Sequence, residues 1–281
     1  MSHMLRSAVV GLTALVAVST GSAMAQEAGK LEEVLERGHL IVGTGSTNAP
    51  WHFKDESGNL VGFDIDVAKL IAKGLFGDDT KIEFVDQSSD SRIPNVTTGK
   101  VDITCQFMTV TAERAQQVNF TIPYYREGVA LLVSAGGKMK TYDELKAAGS
   151  GVTVSVLQNV YAGDMVHAAL PEAKVDQYDS VDLIYEALNS GRADAAATDQ
   201  SSAKWLIVTT PGKYLDSGYG WNPQSYSCAV KRGDQDWLNF VNTTLHEAIT
   251  GVEFGTYSAS FKKWFGVELA PPAIGFPFEY Q

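Results

Sequence analysis

Residues 102–125, DITCQFMTVTAERAQQVNFTIPYY, decide the fold, because they join a strand to a helix through a polar loop. The strand-like run at residues 101–104 reaches Thr109, and Thr111 then starts a helix with Arg114 three residues later. An anion at this point would meet free backbone N–H groups, a threonine hydroxyl and a guanidinium that can bind a carboxylate through two hydrogen bonds. The alternative is a plain helix start, with Thr111 as the N-cap and Arg114 exposed to solvent.

Strands and helices alternate on both sides of this stretch. Residues 39–43 and 81–86 read as strands, and a helix between them runs from residue 64 to residue 75. A second unit with the same rhythm begins with a strand at residues 152–157 and ends with a strand at residues 193–198. This order favours helices packed on a mostly parallel sheet. We therefore predict an α/β protein of two lobes with a ligand cleft between them, because ligands bind beyond the carboxyl ends of such strands.

The lobe boundaries follow from where the chain leaves the first unit and where it returns. We predict a first lobe of residues 26–133 plus 225–281 and a second lobe of residues 134–224. Two crossing strands join the lobes, and the returning strand is predicted at residues 226–231, YSCAVK.

The first 25 residues have the pattern of a secretory signal peptide. Arg6 precedes an apolar run at residues 8–18, and the small residues that follow end in Ala23-Met24-Ala25, an A-x-A cleavage pattern. The apolar run is too short for a stable membrane span. We therefore expect cleavage after Ala25 and an exported, soluble mature chain that starts at Gln26.

The chain is acidic, with 33 Asp and Glu residues against 22 Lys and Arg residues and a formal net charge of −11. An acidic surface argues against nucleic-acid binding, which needs a basic footprint. It is compatible with an anionic ligand, since the local field in a cleft can oppose the net charge.

Two cysteines, Cys105 and Cys228, lie far apart in the sequence. An even pair in an exported protein suggests a disulfide, and the alternative is two free buried thiols. Two isolated cysteines and five scattered histidines give no metal-ligand spacing. We expect no metal and no cofactor.

The motif at residues 102–125 resembles the signature of bacterial periplasmic solute-binding proteins of the polar amino-acid class (family 3), which deliver ligands to ABC importers. The residues that carry the resemblance are Asp102, Met108-Thr109-Val110-Thr111, Arg114, Val118, Phe120-Thr121 and Pro123-Tyr124. It extends from about residue 31 to the C-terminus. It implies the type II periplasmic-binding-protein fold, a periplasmic monomer, an amino acid ligand and an inner-membrane ABC permease as partner.

The resemblance assigns the ligand head group to Arg114 and Asp199. It implies that Arg114 grips the α-carboxylate, and that Asp199, which follows the run Gly191-Arg192-Ala193-Asp194-Ala195, takes the α-ammonium. A zwitterion needs one cation and one anion about its own width apart. Asp199 can also cap the helix that follows it.

Further ligand contacts are predicted in the loops around these two residues. Thr109 offers a hydroxyl and Phe107 a backbone carbonyl to the head group, although a turn-stabilising hydroxyl is the alternative for Thr109. Trp51, Phe53 and Phe107 are expected to form walls of the side-chain pocket, and the alternative for each is a place in the hydrophobic core. The polar side chains expected to contact the ligand there are Asn48, Gln106 and Tyr161.

Arg92, in the run Ser91-Arg92-Ile93-Pro94, bears on specificity. This run and the strand YSCAVK resemble the glutamate/aspartate-binding branch, where the arginine helps to hold the ligand's side-chain carboxylate. The alternative is an exposed loop arginine. Gly45 stands near the place of a second arginine in that branch, and Val181 about where a polar histidine is expected. The pocket can therefore also suit a neutral polar or larger amino acid.

We predict an amino-acid-binding component of an ABC importer that closes on its ligand by hinge bending and is not an enzyme. The alternative is a periplasmic enzyme on the same scaffold, of the cyclohexadienyl or prephenate dehydratase type. Such an enzyme needs a general acid over the leaving hydroxyl, and Lys204 is the only candidate in the helix after Asp199. A third class, a ligand-sensing partner of a membrane receptor, would share the fold and the pocket.

Overall fold

The computed structural model describes residues 29–275 of the 281-residue chain. The predicted signal peptide at residues 1–25 and the predicted start of the mature chain at Gln26 lie outside the described residues. None of the helices between residues 29 and 275 combines the length and the hydrophobicity that a membrane crossing requires.

Helices and short strands alternate along most of the described chain. The helices are α1 Lys30–Arg37, α2 Phe63–Phe76, α3 Arg92–Thr97, α4 Ala112–Ala115, α5 Tyr142–Ala148, α6 Ala162–Ala169, α7 Val181–Asn189, α8 Gln200–Thr209, α9 Gln235–Thr250 and α10 Phe254–Phe265. The strands are β1 Leu40–Thr44, β2 Thr47–Asn48, β3 His52–Lys54, β4 Leu60–Val61, β5 Ile82–Asp86, β6 Ile103–Thr109, β7 Asn119–Phe120, β8 Tyr125–Ser134, β9 Thr153–Leu157, β10 Lys174–Tyr178, β11 Ala195–Asp199 and β12 Tyr214–Val230. Short 3-10 turns occupy Ser89–Ser91 and Gly149–Gly151.

Local sequence signals account for several helix ends. Helix α1 ends at Gly38, whose φ of 79° lies in the left-handed region that glycine adopts without strain. A capping box formed by Thr141 and Glu144 starts α5. Ser180 caps the start of α7, because its hydroxyl accepts a hydrogen bond from the Leu183 N–H.

The strands form one large mixed sheet and one small antiparallel sheet. In the described residues the large sheet has nine strands in the order β10-β9-β11-β8-β12-β6-β1-β5, with β7 paired to β12 off this path. Strands β5, β1 and β6 are parallel at one end, and β10, β9 and β11 are parallel at the other. The small sheet has the order β2-β3-β4. The mixed α/β fold predicted from the sequence is confirmed.

Two long strands, β8 and β12, connect the two parallel groups. Strand β12 pairs antiparallel with β6 and with β8, and β8 pairs antiparallel with β11. The returning strand was expected to begin at residue 226, but it begins at Tyr214. Gly218, Gly220, Asn222 and Pro223 in this segment are residues typical of loops. Pairing with β8 overrides that local preference, at the cost of register shifts between Asp216 and Gly220 and between Trp221 and Gln224.

Trp51 lies in the core beside the first parallel group and is fully buried. Its ring packs edge-on against Tyr125 at 4.7 Å and tilts against Phe265 in α10 at 5.2 Å. The indole N–H donates to the hydroxyl of Ser201 at 3.0 Å. The expectation that Trp51 forms a wall of the ligand pocket is therefore corrected. Aromatic partners from β8 and α10, distant in the sequence, enclose it.

The two cysteines form a disulfide, and the alternative of two free thiols is wrong. Cys105 in β6 and Cys228 in β12 are both fully buried, and their Cα atoms are 4.4 Å apart. The bond joins neighbouring strands of the sheet, close to the segment of β6 that leads into the predicted ligand site.

Candidate functional site

A cavity of about 680 Å³ opens where β6, β9 and β11 end. Seven of the predicted ligand-binding residues line it, namely Asn48, Arg92, Phe107, Thr109, Arg114, Tyr161 and Asp199. Gln106 lines a neighbouring cavity of about 340 Å³, and Phe107 lines both cavities. The structure thus brings together residues that the sequence separates by about 150 positions. A volume of this size is typical of a small-molecule site.

Arg114 points back from the short helix α4 toward the loop that precedes it. The Thr111 hydroxyl caps this helix by accepting from the Arg114 N–H at 3.2 Å, and Arg114 Nη1 donates to the Thr109 carbonyl at 2.9 Å. The side chain is buried, with 8% of the residue exposed, which excludes the alternative of a solvent-exposed helix arginine. Burial lowers the pKa of Arg114 below its ordinary value. A buried guanidinium on a cavity wall favours a carboxylate partner.

Tyr161, at the start of α6, contacts α4 across the cavity. Its hydroxyl lies 3.0 Å from the Thr111 hydroxyl, and the Arg114 guanidinium carbon lies 5.3 Å from the centre of its ring. Its backbone N–H donates to the Asn159 side-chain oxygen at 2.9 Å. The Tyr161 side chain therefore contacts the start of α4, while its backbone is part of the turn that leads into α6.

Asp199 ends β11 and precedes α8, but its side chain does not cap that helix. The Glu127 carboxylate of β8 does so instead, because it accepts from the Ser201 N–H at 2.7 Å and from the Ser201 hydroxyl at 2.9 Å. The Asp199 carboxylate accepts from the Tyr226 hydroxyl and faces the cavity. The capping alternative for Asp199 is wrong, and its carboxylate is directed to the cavity.

Burial raises the pKa of both carboxyl groups in this region. The pKa of Asp199 rises to about 6, although the hydrogen bond from Tyr226 acts to lower it. The pKa of Glu127 rises to about 9, first through burial and then through repulsion by Asp199. Because the two carboxyl groups repel each other, simultaneous ionisation of both is disfavoured.

Thr109 and Asp199 are connected through Gln224 of β12. The Thr109 hydroxyl donates to Gln224 Oε1 at 2.8 Å, and Gln224 Nε2 donates to the Tyr226 hydroxyl at 2.7 Å. Gln224 itself lines the cavity. The sequence prediction missed Gln224, although its spacing of two from Tyr226 places both on one face of a strand.

Arg92 lies at the start of α3 and is not an exposed loop residue. Only 5% of it is exposed, and burial lowers its pKa to about 9, with repulsion by Arg114 adding to the effect. Its Nε donates to the Ser89 carbonyl at 2.8 Å and its Nη1 to the Gln106 carbonyl at 3.0 Å. Arg92 therefore supports the backbone of the site as well as lining the cavity.

The backbone at Phe107 is held in a strained conformation. Its φ of 33° is in the left-handed region that side chains other than glycine rarely adopt. The fully buried carboxylate of Asp64 accepts from the Phe107 N–H at 2.9 Å, from His52 Nδ1 at 2.8 Å and from the Tyr124 hydroxyl at 2.7 Å. The His52 ring also stacks on the Phe107 ring. The sequence prediction used Asp64 only as a helix start.

Two hydroxyl groups of helix α8 form hydrogen bonds with Asn48 at the end of β2 and with Trp51 just before β3. Ser202 donates to the Asn48 side-chain oxygen at 3.3 Å, and Ser201 accepts from the Trp51 indole. Lys204, in the next turn of α8, is exposed and does not line either cavity. Within residues 29–275, no group of three or more His, Cys, Asp or Glu residues could hold a metal ion.

The smaller cavity has an acidic lining. Its charged carboxylate residues are Asp86 and Asp179, and polar residues such as Gln87 and Gln106 complete it. A Cβ atom at Gly45 would lie 2.8 Å from the His52 ring, so a second arginine at this position would require His52 to move. Gln106 is held in place by the Gln87 amide, which donates to it at 3.0 Å.

Comparison with known proteins gives consistent results. The sequence model of the family described as bacterial extracellular solute-binding proteins, family 3, matches residues 40–267. The glutamine-binding protein GlnH of Bacillus subtilis is 32% identical over 208 residues, which is 74% of each chain. The L-cystine-binding protein TcyJ of Escherichia coli is 30% identical over 273 residues, which is 96% of this chain and 98% of the relative.

Among solved structures, a mutant of ArgBP from T. maritima is 33% identical and superposes with a TM-score of 0.74. The match covers 85% of this chain and 100% of that one. Another ArgBP structure with 34% identity contains bound arginine. These relatives are named as binding proteins, and the ligands named for them are glutamine, cystine and arginine.

The contacts of Asp64 predict a large stabilising effect. Asp64→Ala leaves three buried donors without their acceptor, and we expect it to lower the free energy of unfolding by about 3–5 kcal/mol. Chemical denaturation of purified protein measures the loss. Asp79→Ala, at an exposed position three residues after α2 ends, is the control and should change little. A loss below about 1 kcal/mol for Asp64→Ala would show that these hydrogen bonds do not hold the loop.

Proposed function

Because the chain belongs to the family 3 bacterial extracellular solute-binding proteins, we propose that it is the periplasmic amino-acid-binding component of an ABC importer. The observation that carries the proposal is the cavity with a buried arginine, Arg114, and a half-buried carboxylate, Asp199, in its lining. These groups match the two opposite charges of an amino acid head group. The partners in this proposal are the amino acid and an inner-membrane permease, and the protein acts as a monomer.

In this proposal Arg114 binds the α-carboxylate and Asp199 binds the α-ammonium. Arg114 is already oriented by its bond to the Thr109 carbonyl, and Asp199 is left available because Glu127 caps α8. Preorganised groups of this kind save the entropy of ordering when the ligand binds. The predicted lobes, residues 26–133 plus 225–281 and residues 134–224, would close on the ligand about β8 and β12.

We propose that the ligand's side chain is polar and uncharged or cationic. The resemblance to the glutamate/aspartate branch favours an acidic side chain, with Arg92 as its partner. Arg92, however, donates to two backbone carbonyls, and the charged carboxylate residues in the adjoining cavity are Asp86 and Asp179. An acidic side chain that enters this cavity would meet like charges. The names of relatives that bind glutamine and arginine agree with this choice, and the second head group of cystine, which is zwitterionic, carries no net charge.

The alternative of a dehydratase has less support. Its one candidate acid, Lys204, is exposed and lies outside both cavity linings. A general acid must come within hydrogen-bond reach of the leaving group.

A thermal-shift screen of refolded protein against the proteinogenic amino acids and L-cystine tests the proposed function. Ligand binding to the native state raises the thermal midpoint in proportion to ln(1 + [L]/Kd). We expect glutamine, arginine or cystine to raise the midpoint most. A larger rise with glutamate or aspartate would restore the acidic specificity, and no rise with any compound would reject amino-acid binding.

Loss of the guanidinium should abolish most of the binding. Arg114→Ala removes the partner of the α-carboxylate, and we expect the affinity for every amino acid that binds to fall by about a hundredfold or more. Titration calorimetry measures the change. Arg192→Ala is the matched control, because Arg192 is exposed and pairs only with nearby residues such as Glu186. Near-normal affinity of Arg114→Ala would contradict the carboxylate role.

Binding should weaken in acid because Asp199 must be ionised to hold an ammonium. Its pKa of about 6 predicts that affinity is constant above about pH 7 and falls about tenfold per unit well below pH 6. The stability of the ligand-free protein depends on pH in the opposite direction. Burial raises the pKa of Asp199, so the contribution of its protonated form to folding stability is lost as the pH rises through about 6. Calorimetry from pH 4.5 to pH 8 tests the first statement. Asp199→Asn should bind weakly with no such pH step, and a step that persists in it would assign the titration elsewhere.

A further inference from the structure

One continuous chain of hydrogen bonds runs along the wall of the larger cavity. The Thr109 hydroxyl donates to Gln224 Oε1 at 2.8 Å, and Gln224 Nε2 donates to the Tyr226 hydroxyl at 2.7 Å. The Tyr226 hydroxyl in turn donates to Asp199 Oδ1. Gln224 Nε2 also lies 3.5 Å from the same carboxylate oxygen.

The carboxylate fixes the direction of every bond in this chain. An ionised carboxylate has no proton, so Tyr226 must donate to Asp199. The phenol oxygen can then accept from the amide N–H₂ of Gln224, which turns the amide oxygen toward Thr109. A hydroxyl has a single proton, and Thr109 commits it to Gln224. What Thr109 presents to the cavity is therefore an oxygen with lone pairs and no hydrogen.

We propose that Gln224 is a positioning residue which, by taking the Thr109 proton, makes Thr109 a second acceptor for the α-ammonium of the ligand beside Asp199. The inference rests on the proposed function. It also separates the head group into two regions, since a carboxylate finds no donor at Thr109 or Asp199 and is left to Arg114.

A side-chain amide is the group that this position requires. It carries an acceptor for Thr109 and a donor for Tyr226 at one end of a flexible chain. A glutamate at residue 224 would lack the donor and would place a second negative charge beside Asp199. The register of β12 supplies the placement, because Tyr226 pairs with Thr109 of β6 while Gln224 pairs with Glu127 of β8.

A double-mutant cycle tests the coupling between Thr109 and Gln224. Wild type, Thr109→Val, Gln224→Met and the double variant are titrated calorimetrically with L-glutamine, L-arginine and L-cystine at pH 7.5. We expect each single variant to lose about tenfold in affinity and the double variant to lose no more than the larger single loss, because at this pH Gln224→Met acts only through the Thr109 hydroxyl, which Thr109→Val removes. Thr109→Ser keeps the hydroxyl and should bind within about threefold of wild type.

Gln235→Met is the matched control, since Gln235 is exposed at the start of α9 and bonds to Asn239. If Gln224→Met lowers the thermal midpoint strongly, Gln224→Asn replaces it, because the shorter amide breaks the chain with the same chemistry. Wild-type affinity in the Gln224 variant, or losses that multiply to about a hundredfold in the double variant, would overturn the inference alone. Failure of wild type to bind any of the three compounds would overturn the proposed function, and the inference with it.

The pH dependence of ligand affinity separates the proposed role of Gln224 from a purely structural one, because a structural role would leave the pH midpoint unchanged. Gln224 supports the hydrogen bond from Tyr226 that favours ionised Asp199, so Gln224→Met should move the acid loss of affinity to higher pH. Besides Tyr226, the other charged or titratable groups near Asp199 are unchanged in this variant; they include Glu127, Asp64, Arg92, Tyr125 and Tyr185. An unchanged pH midpoint would show that Gln224 does not act through this chain.

Discussion

The buried carboxylate of Asp64 is the interaction on which the site depends. It is fully enclosed, and it accepts hydrogen bonds from His52, Phe107 and Tyr124, which come from three separate segments of the chain. An isolated charge at such a position would cost several kcal/mol, so the carboxylate is tolerated because three donors meet it. The same bonds hold Phe107 at a positive φ and therefore fix the direction in which β6 leaves the sheet toward Thr109 and Arg114.

A division of roles between carboxylates recurs on the other side of the cavity. The start of α8 needs an acceptor, and the residue best placed in the sequence to supply it is Asp199. Glu127 supplies it from β8 instead, with a pKa raised to about 9 by burial and by the neighbouring Asp199. Both oxygens of Glu127 accept from Ser201, so the helix has its cap without the Asp199 carboxylate. Asp199 can then serve the cavity.

The sequence predicts the alternating strands and helices and the central motif, because these depend on local residue patterns. It also predicts the disulfide, because the chain has only two cysteines. Arg114 and Asp199 were named from their motif context, and the structure places both at one cavity.

Trp51 was predicted to line the ligand pocket but lies in the core. An aromatic residue after a polar loop gives the same sequence pattern in either position. Asp64, Glu127 and Gln224 were missed because their partners lie far away in the sequence: Asp64 and Tyr124 are 60 residues apart, and Thr109 and Gln224 are 115 apart. The early part of β12 was missed for a different reason, because sheet pairing overrides its loop-like composition.

The position of Gln224 links the chemistry of the cavity to the strands that join its two sides. Thr109 belongs to β6 and Asp199 to β11, and the residues that connect them, Gln224 and Tyr226, belong to β12. Next to Gln224 the strand has a register shift, and Asn222 there has a φ of 52°. A rotation of one side of the sheet against the other would change the distance between Thr109 and Asp199, and the hydrogen bonds through Gln224 resist that change. The spacing between the Thr109 hydroxyl and the Asp199 carboxylate therefore depends on β12, the strand that carries Gln224 and Tyr226.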